Sequence, residues 1–139
     1  MLSFNDDVTD RRTLTPREPT EPTEAHPITI EPTGIRVTVR IDGDLIAETD
    51  AALTLQEASY LPVQYIPIAD VVAQLTRSDT ETYCPYKGDA SYYHVLTAHG
   101  ETVGDAVWTY EQPYPAVAEI AGHLAFYPSK VDAIEELNG

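Results

Sequence analysis

Reactive side chains are concentrated near the middle of the chain, at residues 83–88, whose sequence is YCPYKG. They include a thiol, two phenols and one of the chain's two lysines. Pro85 restricts one backbone torsion and Gly88 tolerates a left-handed conformation, which predicts a sharply shaped turn. A lysine in such a turn can anchor an anion or a carbonyl oxygen, and a cation beside a thiol favours the nucleophilic thiolate. The segment therefore predicts an anchoring role for Lys87 and, as a bolder hypothesis, a nucleophilic role for Cys84.

Glu57 is the carboxylate best placed in the sequence to act with these residues. It follows an apolar segment and precedes two tyrosines, which makes it the better candidate to pair with Lys87. Lys87, Cys84 and Glu57 are thus the candidate catalytic residues. A structural interpretation stays open, in which residues 83–88 form an ordinary β-turn and Cys84 is a small buried hydrophobic side chain.

Nine of the twelve aromatic residues lie between Tyr83 and Tyr127. Trp108 and Tyr110 are two residues apart, so on a strand their rings share one face. With Tyr92 from a neighbouring strand they would form an aromatic platform, which can stack on a planar ring or enclose a cation. Buried phenol hydroxyls need partners, which favours a cavity or a wet rim, although an ordinary hydrophobic core is the alternative. The predicted ligand-binding set is Tyr65, Tyr86, Lys87, Tyr92, Trp108 and Tyr110.

The composition limits the classes of partner. The chain has 139 residues, enough for one domain with its own core, and 42% of them are hydrophobic. With 23 acidic and 8 basic residues the formal net charge is -15, which repels phosphate backbones and anionic lipids. We therefore predict no nucleic-acid partner and no membrane partner. The single cysteine excludes an intramolecular disulfide, and a cytoplasmic location is predicted.

No motif indicates a cofactor or a metal ion, and none is predicted. The four histidines show neither a pair at helical spacing nor an HExxH pattern. One cysteine cannot form a cysteine-only zinc site. Glycine-rich phosphate loops and the nucleophile elbow GxSxG do not occur either.

The pattern along the chain divides it into a tail and one domain. Residues 1–26 repeat Pro, Thr and Glu with few large apolar side chains, which predicts a disordered tail. Residues 27–139 are predicted to form the domain. Within it, residues 35–41 alternate as a half-buried strand does, and residues 62–67 form an extended run with a proline at each end, which favours an edge strand.

Helical signals are few. Asp70 is predicted to cap a short helix that continues to Leu75, and Pro115 to begin another. Residues 123–127 are interpreted as a strand, and residues 131–137 as one further helical turn. Short strands with only one or two short helices predict a small, antiparallel, mainly β domain.

These segments resemble the family named domain of unknown function 427. The likeness is carried by residues 62–67 (PVQYIP) with Asp70, residues 84–88 (CPYKG) with Ala90 and Tyr92, residues 108–113 (WTYEQP) and residues 124–127 (LAFY). It extends from about Ile28 to Val131, nearly the whole predicted domain.

The resemblance implies a fold similar to the β-tent of methionine-R-sulfoxide reductases, Mss-type zinc proteins and the ligand-binding domain of cereblon. Those relatives commonly hold a structural zinc with paired CxxC motifs, which a chain with one cysteine lacks. The cereblon-like relatives bind a small ring in an aromatic cage, in agreement with the platform predicted above. The family has also been labelled nucleotidyltransferase-like, but no Gly-Ser followed by Asp-x-Asp occurs here.

Three functions are compatible with these residues. The first is a binding module whose aromatic cage, with Lys87 and Glu57 at its polar edge, holds a small, planar, nucleoside-like ligand. The second is a nucleotidyltransferase-like or hydrolase-like enzyme that uses Lys87, Cys84 and a carboxylate. The third is a structural or regulatory protein in which the aromatic residues only form the core. The aromatic spacing beside an isolated lysine favours the first.

Overall fold

Ten β-strands dominate the computed structural model, which describes residues 17–137. The strands are β1 (Ile28–Pro32), β2 (Arg36–Ile41), β3 (Asp44–Thr49), β4 (Leu53–Glu57), β5 (Val63–Pro67), β6 (Gln74–Cys84), β7 (Gly88–Leu96), β8 (Thr102–Thr109), β9 (His123–Phe126) and β10 (Ala133–Leu137). Three short 3-10 helices accompany them, at Ile68–Asp70, Pro115–Ile120 and Pro128–Lys130. None of these helices is long and apolar enough to cross a membrane.

The ten strands form two antiparallel sheets. The seven-stranded sheet has the order β1-β4-β5-β9-β8-β7-β6, and the three-stranded sheet has the order β10-β2-β3. Asp42 and Gly43 connect β2 to β3 with φ values of 50° and 82°, as a two-residue hairpin turn requires. The prediction of a small, antiparallel, mainly β domain is confirmed. The likeness to the β-tent stays a prediction.

The prediction of an edge position for residues 62–67 is wrong. Strand β5 lies between β4 and β9 in the seven-stranded sheet. Its first three residues pair with β4, while Ile66 and Pro67 pair with Leu124 and His123 of β9. A proline at the end of a strand removes one donor there but leaves the donors of the central residues available.

Two helix predictions are wrong as well. Asp70 ends a 3-10 helix, and its carboxylate accepts a hydrogen bond from Thr49 of β3 at 2.6 Å instead of capping a helix. The predicted terminal helical turn is strand β10, because Ile134 pairs with Val39 of β2 and packs against the core. Tertiary pairing outweighed weak local helix signals at both places. The strand at residues 123–127 and a helix start at Pro115 are confirmed, although that helix is a 3-10 helix.

Two buried clusters lie on opposite faces of the seven-stranded sheet. Consecutive residues alternate between them, as Tyr65 and Ile66 of β5 do. The buried members of the first, here called the aliphatic cluster, come from both sheets and are Val37, Val39, Ile41, Ile46, Ala47, Ala52, Ile66, Val95, Ala106, Val107, Leu124 and Phe126. The buried members of the second, here called the aromatic cluster, are Leu55, Tyr65, Ala90, Tyr92, Tyr110, Val117, Ile120 and Ala125.

Residues 17–27 have no regular secondary structure but contact the domain. The Thr20 amide donates a hydrogen bond to the Pro85 carbonyl at 2.9 Å. The Arg17 guanidinium pairs with Asp89 at 2.7 Å and lies over the ring of Tyr83. Residues 1–16 of the predicted tail lie outside the described residues, and the disorder of the tail stays a prediction.

Candidate ligand-binding pocket

A pocket of about 210 Å³ opens on the sheet face that carries the aromatic cluster. This aromatic pocket is lined by Leu55, Glu57, Tyr60, Leu61, Val63, Tyr65, Lys87, Tyr92, Trp108, Tyr110 and Tyr127. Six of the eleven lining residues are aromatic and one is a lysine. The pocket therefore combines a large ring-bearing wall with a cationic group.

Strand register brings the central rings together. Tyr92 of β7 pairs with Trp108 of β8, which in turn pairs with Ala125 of β9. Directly paired residues project from the same face of a sheet, so these three side chains are neighbours. Ala125 has only a methyl group, which leaves room beside the indole for the ring of Tyr127, at 4.5 Å between ring centroids.

Hydroxyl groups hold the rings of the wall in place. The indole Nε1 of Trp108 donates a hydrogen bond to the Tyr65 hydroxyl at 3.1 Å, and the two rings meet edge to face. The Tyr127 hydroxyl donates to the Tyr92 hydroxyl at 3.3 Å, and the latter bonds to Thr82 at 2.9 Å. These hydrogen bonds fix the rings of the wall relative to one another.

Tyr110 differs from these residues because its hydroxyl has no hydrogen-bond partner among residues 17–137. In that range, every fully buried side-chain polar atom has a partner except Oδ1 of Asp105. Because the Tyr110 hydroxyl has no partner either and is not such an atom, it is not fully buried and reaches solvent-accessible space. Burial is the main cause that raises the pKa of both Tyr110 and Tyr65 far above the usual value, and the charge of Glu57 adds to it. Both phenols are therefore protonated at neutral pH.

The tight turn between β6 and β7 delivers Lys87 to the pocket. The Lys87 amide donates a hydrogen bond to the Cys84 carbonyl at 3.2 Å, and Gly88 has a φ of 108°. A side chain at that φ would be strained. The predicted sharply shaped turn is confirmed.

An ion pair between Lys87 and Glu57 forms the polar end of the pocket. Their side chains are 9% and 13% exposed, and Nζ lies 2.5 Å from Oε1. Nζ also lies 3.6 Å from Sγ of Cys84. Burial by itself would raise the pKa of Glu57, but hydrogen bonds and charges from Lys87 and His26 outweigh it, so the pKa lies below its usual value. The predicted pairing of Glu57 with Lys87 is confirmed.

His26 is the second partner of this carboxylate. Its Nε2 lies 2.7 Å from Oε2 of Glu57, and its ring stacks on Tyr86 at 4.3 Å between ring centroids. Tyr60 contacts the same imidazole edge to face. Both oxygens of Glu57 are thus engaged, one by the β6–β7 turn and the other by the N-terminal segment.

Comparison with protein families identifies the domain. The family model described as Domain of unknown function (DUF427) matches residues 29–137. The chain belongs to this family. No curated protein matches the chain significantly. The match begins after His26, which therefore lies outside the matched range of this DUF427 domain. Glu57, Lys87 and the aromatic wall lie inside that range.

The structure of the DUF427 domain brings together most of the residues predicted from the sequence. Tyr65, Lys87, Tyr92, Trp108 and Tyr110 all line the aromatic pocket, as does Glu57. The remaining member of the predicted set, Tyr86, lies outside the lining because its ring stacks on His26. Cys84 also lies outside the lining, where it packs against the aromatic cluster and contacts the Lys87 ammonium group.

Sequence reasoning missed several residues of the site. His26 lies in the predicted tail, where no local pattern distinguishes it. Tyr60 and Leu61 lie in the β4–β5 loop, where they are 61% and 85% exposed at the mouth of the pocket. Tyr127 could have been found, because it is two residues after Ala125 and strand alternation places the two on one face.

No group of three or more His, Cys, Asp or Glu side chains within residues 17–137 could hold a metal ion. The polar chemistry of the described site is therefore that of an ammonium group, a carboxylate, an imidazole, a thiol and phenols.

Proposed function

We propose that this DUF427 domain is a binding module whose aromatic pocket holds a small planar ring, such as a nucleoside-like heterocycle. The observation that carries the proposal is a hollow among six aromatic residues, with a buried lysine at one end. Rings packed only to form a core would leave no such space, since protein interiors are packed to crystal-like density.

The size of the pocket limits the size of the ring. Pockets for drug-sized ligands measure about 300–1,000 Å³, and this pocket measures about 210 Å³. A one-ring or two-ring heterocycle fits that space, while a sugar attached to the ring would extend past Tyr60 and Leu61 into solvent. Flat rings are favoured because both faces can contact aromatic side chains.

Charge supports a small organic ligand over a nucleotide or a polyanion. Lys87 is the only cationic residue of the described lining, and its ammonium group already pairs with Glu57. The net charge of -15 adds repulsion for phosphates. The same charge argues against nucleic-acid and membrane partners.

An enzyme that uses Lys87, Cys84 and Glu57 is the second candidate, because Nζ of Lys87 contacts both other groups. Alkylation by iodoacetamide tests it. A Cys84 thiol activated by Lys87 would react much faster than free cysteine and would lose that advantage in the Lys87→Met variant. An ordinary rate in both proteins would exclude the nucleophile.

Fluorescence offers a direct test of the binding module. Trp108 is the only tryptophan of the chain, so its emission reports on the pocket. We expect members of a panel of one-ring and two-ring planar heterocycles to change that emission in a saturable way, and to bind as seen by ligand-observed NMR.

A matched pair of variants locates the binding. Trp108→Ala should abolish the NMR signal of binding. Tyr93→Ala removes a ring from the other face of the neighbouring strand, where Tyr93 packs against the aliphatic cluster, and should leave binding intact if the variant folds. Unchanged binding to a folded Trp108→Ala variant, or no binding by any ring of the panel, would refute the proposed function.

A further inference from the structure

Three polar groups of the aromatic pocket carry hydrogen-bond donors that have no acceptor among residues 17–137. The Lys87 ammonium group has three N–H donors, and its contacts within residues 17–137 are Glu57 and, weakly, Cys84. The Tyr65 hydroxyl accepts a bond from Trp108, but its own proton has no acceptor in the same range. The Tyr110 hydroxyl has no partner there at all. At least three donors therefore remain for a ligand.

Two acceptor groups of the pocket already take part in hydrogen bonds. Each oxygen of Glu57 already receives a short hydrogen bond, one from Lys87 and one involving His26. The Tyr92 hydroxyl is bonded to both Thr82 and Tyr127. Donors left unpaired in a buried site cost free energy, so a ligand without acceptors would leave this surface unsatisfied.

The charge balance at the polar end is close to neutral. The ammonium group of Lys87 and the carboxylate of Glu57 compensate each other at 2.5 Å. An anionic ligand would compete with Glu57 for the same cation, in a chain whose net charge is already -15. A cationic ligand would be repelled by the ammonium charge of Lys87.

We propose that the ligand is an uncharged planar ring that carries at least one carbonyl oxygen, which accepts hydrogen bonds from Lys87 and from the Tyr65 and Tyr110 hydroxyls. This inference rests on the proposed function and names the class of ligand that the pocket takes. The carbonyl lies at the polar end, and the ring lies against Trp108.

Three probes of equal ring size test the inference: benzamide, benzoate and benzylamine. At neutral pH, benzamide is uncharged and has a carbonyl group, benzoate is an anion, and benzylamine is a cation without a hydrogen-bond acceptor. We expect benzamide to bind at least tenfold more tightly than either other probe, measured by competition in ligand-observed NMR and by Trp108 fluorescence.

The Tyr110→Phe variant shows whether the donors cause the preference. Since the Tyr110 hydroxyl has no partner among the described residues, its removal should not disturb the fold, but it should reduce benzamide binding severalfold. Tyr114→Phe is the matched control, because the Tyr114 hydroxyl bonds to Tyr83 outside the pocket lining. That variant should bind benzamide as the parent chain does.

The outcomes separate this inference from the proposed function. If the three probes bind equally, or if benzoate or benzylamine binds best, the donor-based inference is wrong while ring binding stands. A benzamide preference that survives Tyr110→Phe unchanged would also overturn the assignment of that hydroxyl. If neither these probes nor any ring of the wider panel binds, both proposals fail.

Discussion

The two faces of the seven-stranded sheet are built from different side chains and have different covers. The aliphatic cluster carries branched and methyl side chains, such as Val39 and Ile46, and a second sheet contributes to it. The aromatic cluster carries tyrosines, such as Tyr65 and Tyr110, and also includes Val117 and Ile120 of a short 3-10 helix.

The difference in side-chain type between the two faces explains why the aromatic pocket lies on one face of the sheet. Branched aliphatic side chains interdigitate and gain stability from every methylene that they bury. Tyrosine rings carry hydroxyls at their tips, and these need partners or water when they are buried. The aliphatic cluster is therefore expected to carry stability and the aromatic cluster to carry binding.

The largest expected effect is a loss of stability in the aliphatic cluster. Ile46 is 1% exposed, so Ile46→Ala should lower the free energy of unfolding by about 2–5 kcal/mol. Urea denaturation measures it. Leu61→Ala, at the exposed mouth of the pocket, is the control and should change stability by less than about 0.5 kcal/mol. Equal effects of the two substitutions would contradict the division of roles.

Breaking the ion pair between Lys87 and Glu57 should lower the free energy of unfolding by a smaller amount. Lys87→Met leaves the Glu57 carboxylate without its cation, and removing one partner of a fully buried pair costs about 3–5 kcal/mol. Because Glu57 keeps His26 and borders the pocket, we expect about 2 kcal/mol.

The double variant Lys87→Met with Glu57→Gln removes both charges and serves as the comparison. It should recover at least half of the loss, as measured by urea denaturation. No recovery would show that the lysine stem, and not the ion pair, stabilises the turn.

Deleting the Tyr65 hydroxyl should lower the stability of the fold more than deleting the Tyr110 hydroxyl. Tyr65→Phe removes the acceptor of the Trp108 indole and should cost about 1 kcal/mol of stability. Tyr110→Phe deletes a hydroxyl that has no partner among the described residues and should cost less than about 0.5 kcal/mol. Thermal unfolding of the two variants side by side measures the difference. A reversed order would mean that the Tyr110 hydroxyl is bonded in solution.

The smallest effect concerns acid stability. The pKa of Glu57 is lower in the folded chain than its usual value, so its ionised form favours folding. That contribution is complete above the unfolded value of about 4.3 and is lost as the pH falls through the lower folded value. The parent chain should therefore lose more stability than Glu57→Gln as the pH falls below about 4.3. Parallel denaturation curves at several pH values check this, and identical slopes would contradict it.

Short-range patterns in the sequence were enough to predict several local features of this protein. Alternating residues, the turn chemistry at residues 83–88 and the two-residue spacing of Trp108 and Tyr110 predicted strands, a turn and a shared ring face. These features depend on backbone geometry over a few residues, which local side chains control.

Other features, namely strand order and contacts between distant segments, became visible only in the tertiary structure. It placed β5 inside the sheet, turned residues 133–137 into a strand, and brought His26 to Glu57 across 31 positions of the chain. It also directed Tyr86 onto His26 and away from the aromatic pocket. Such contacts depend on which distant segments become neighbours, and no spacing within one segment encodes that choice.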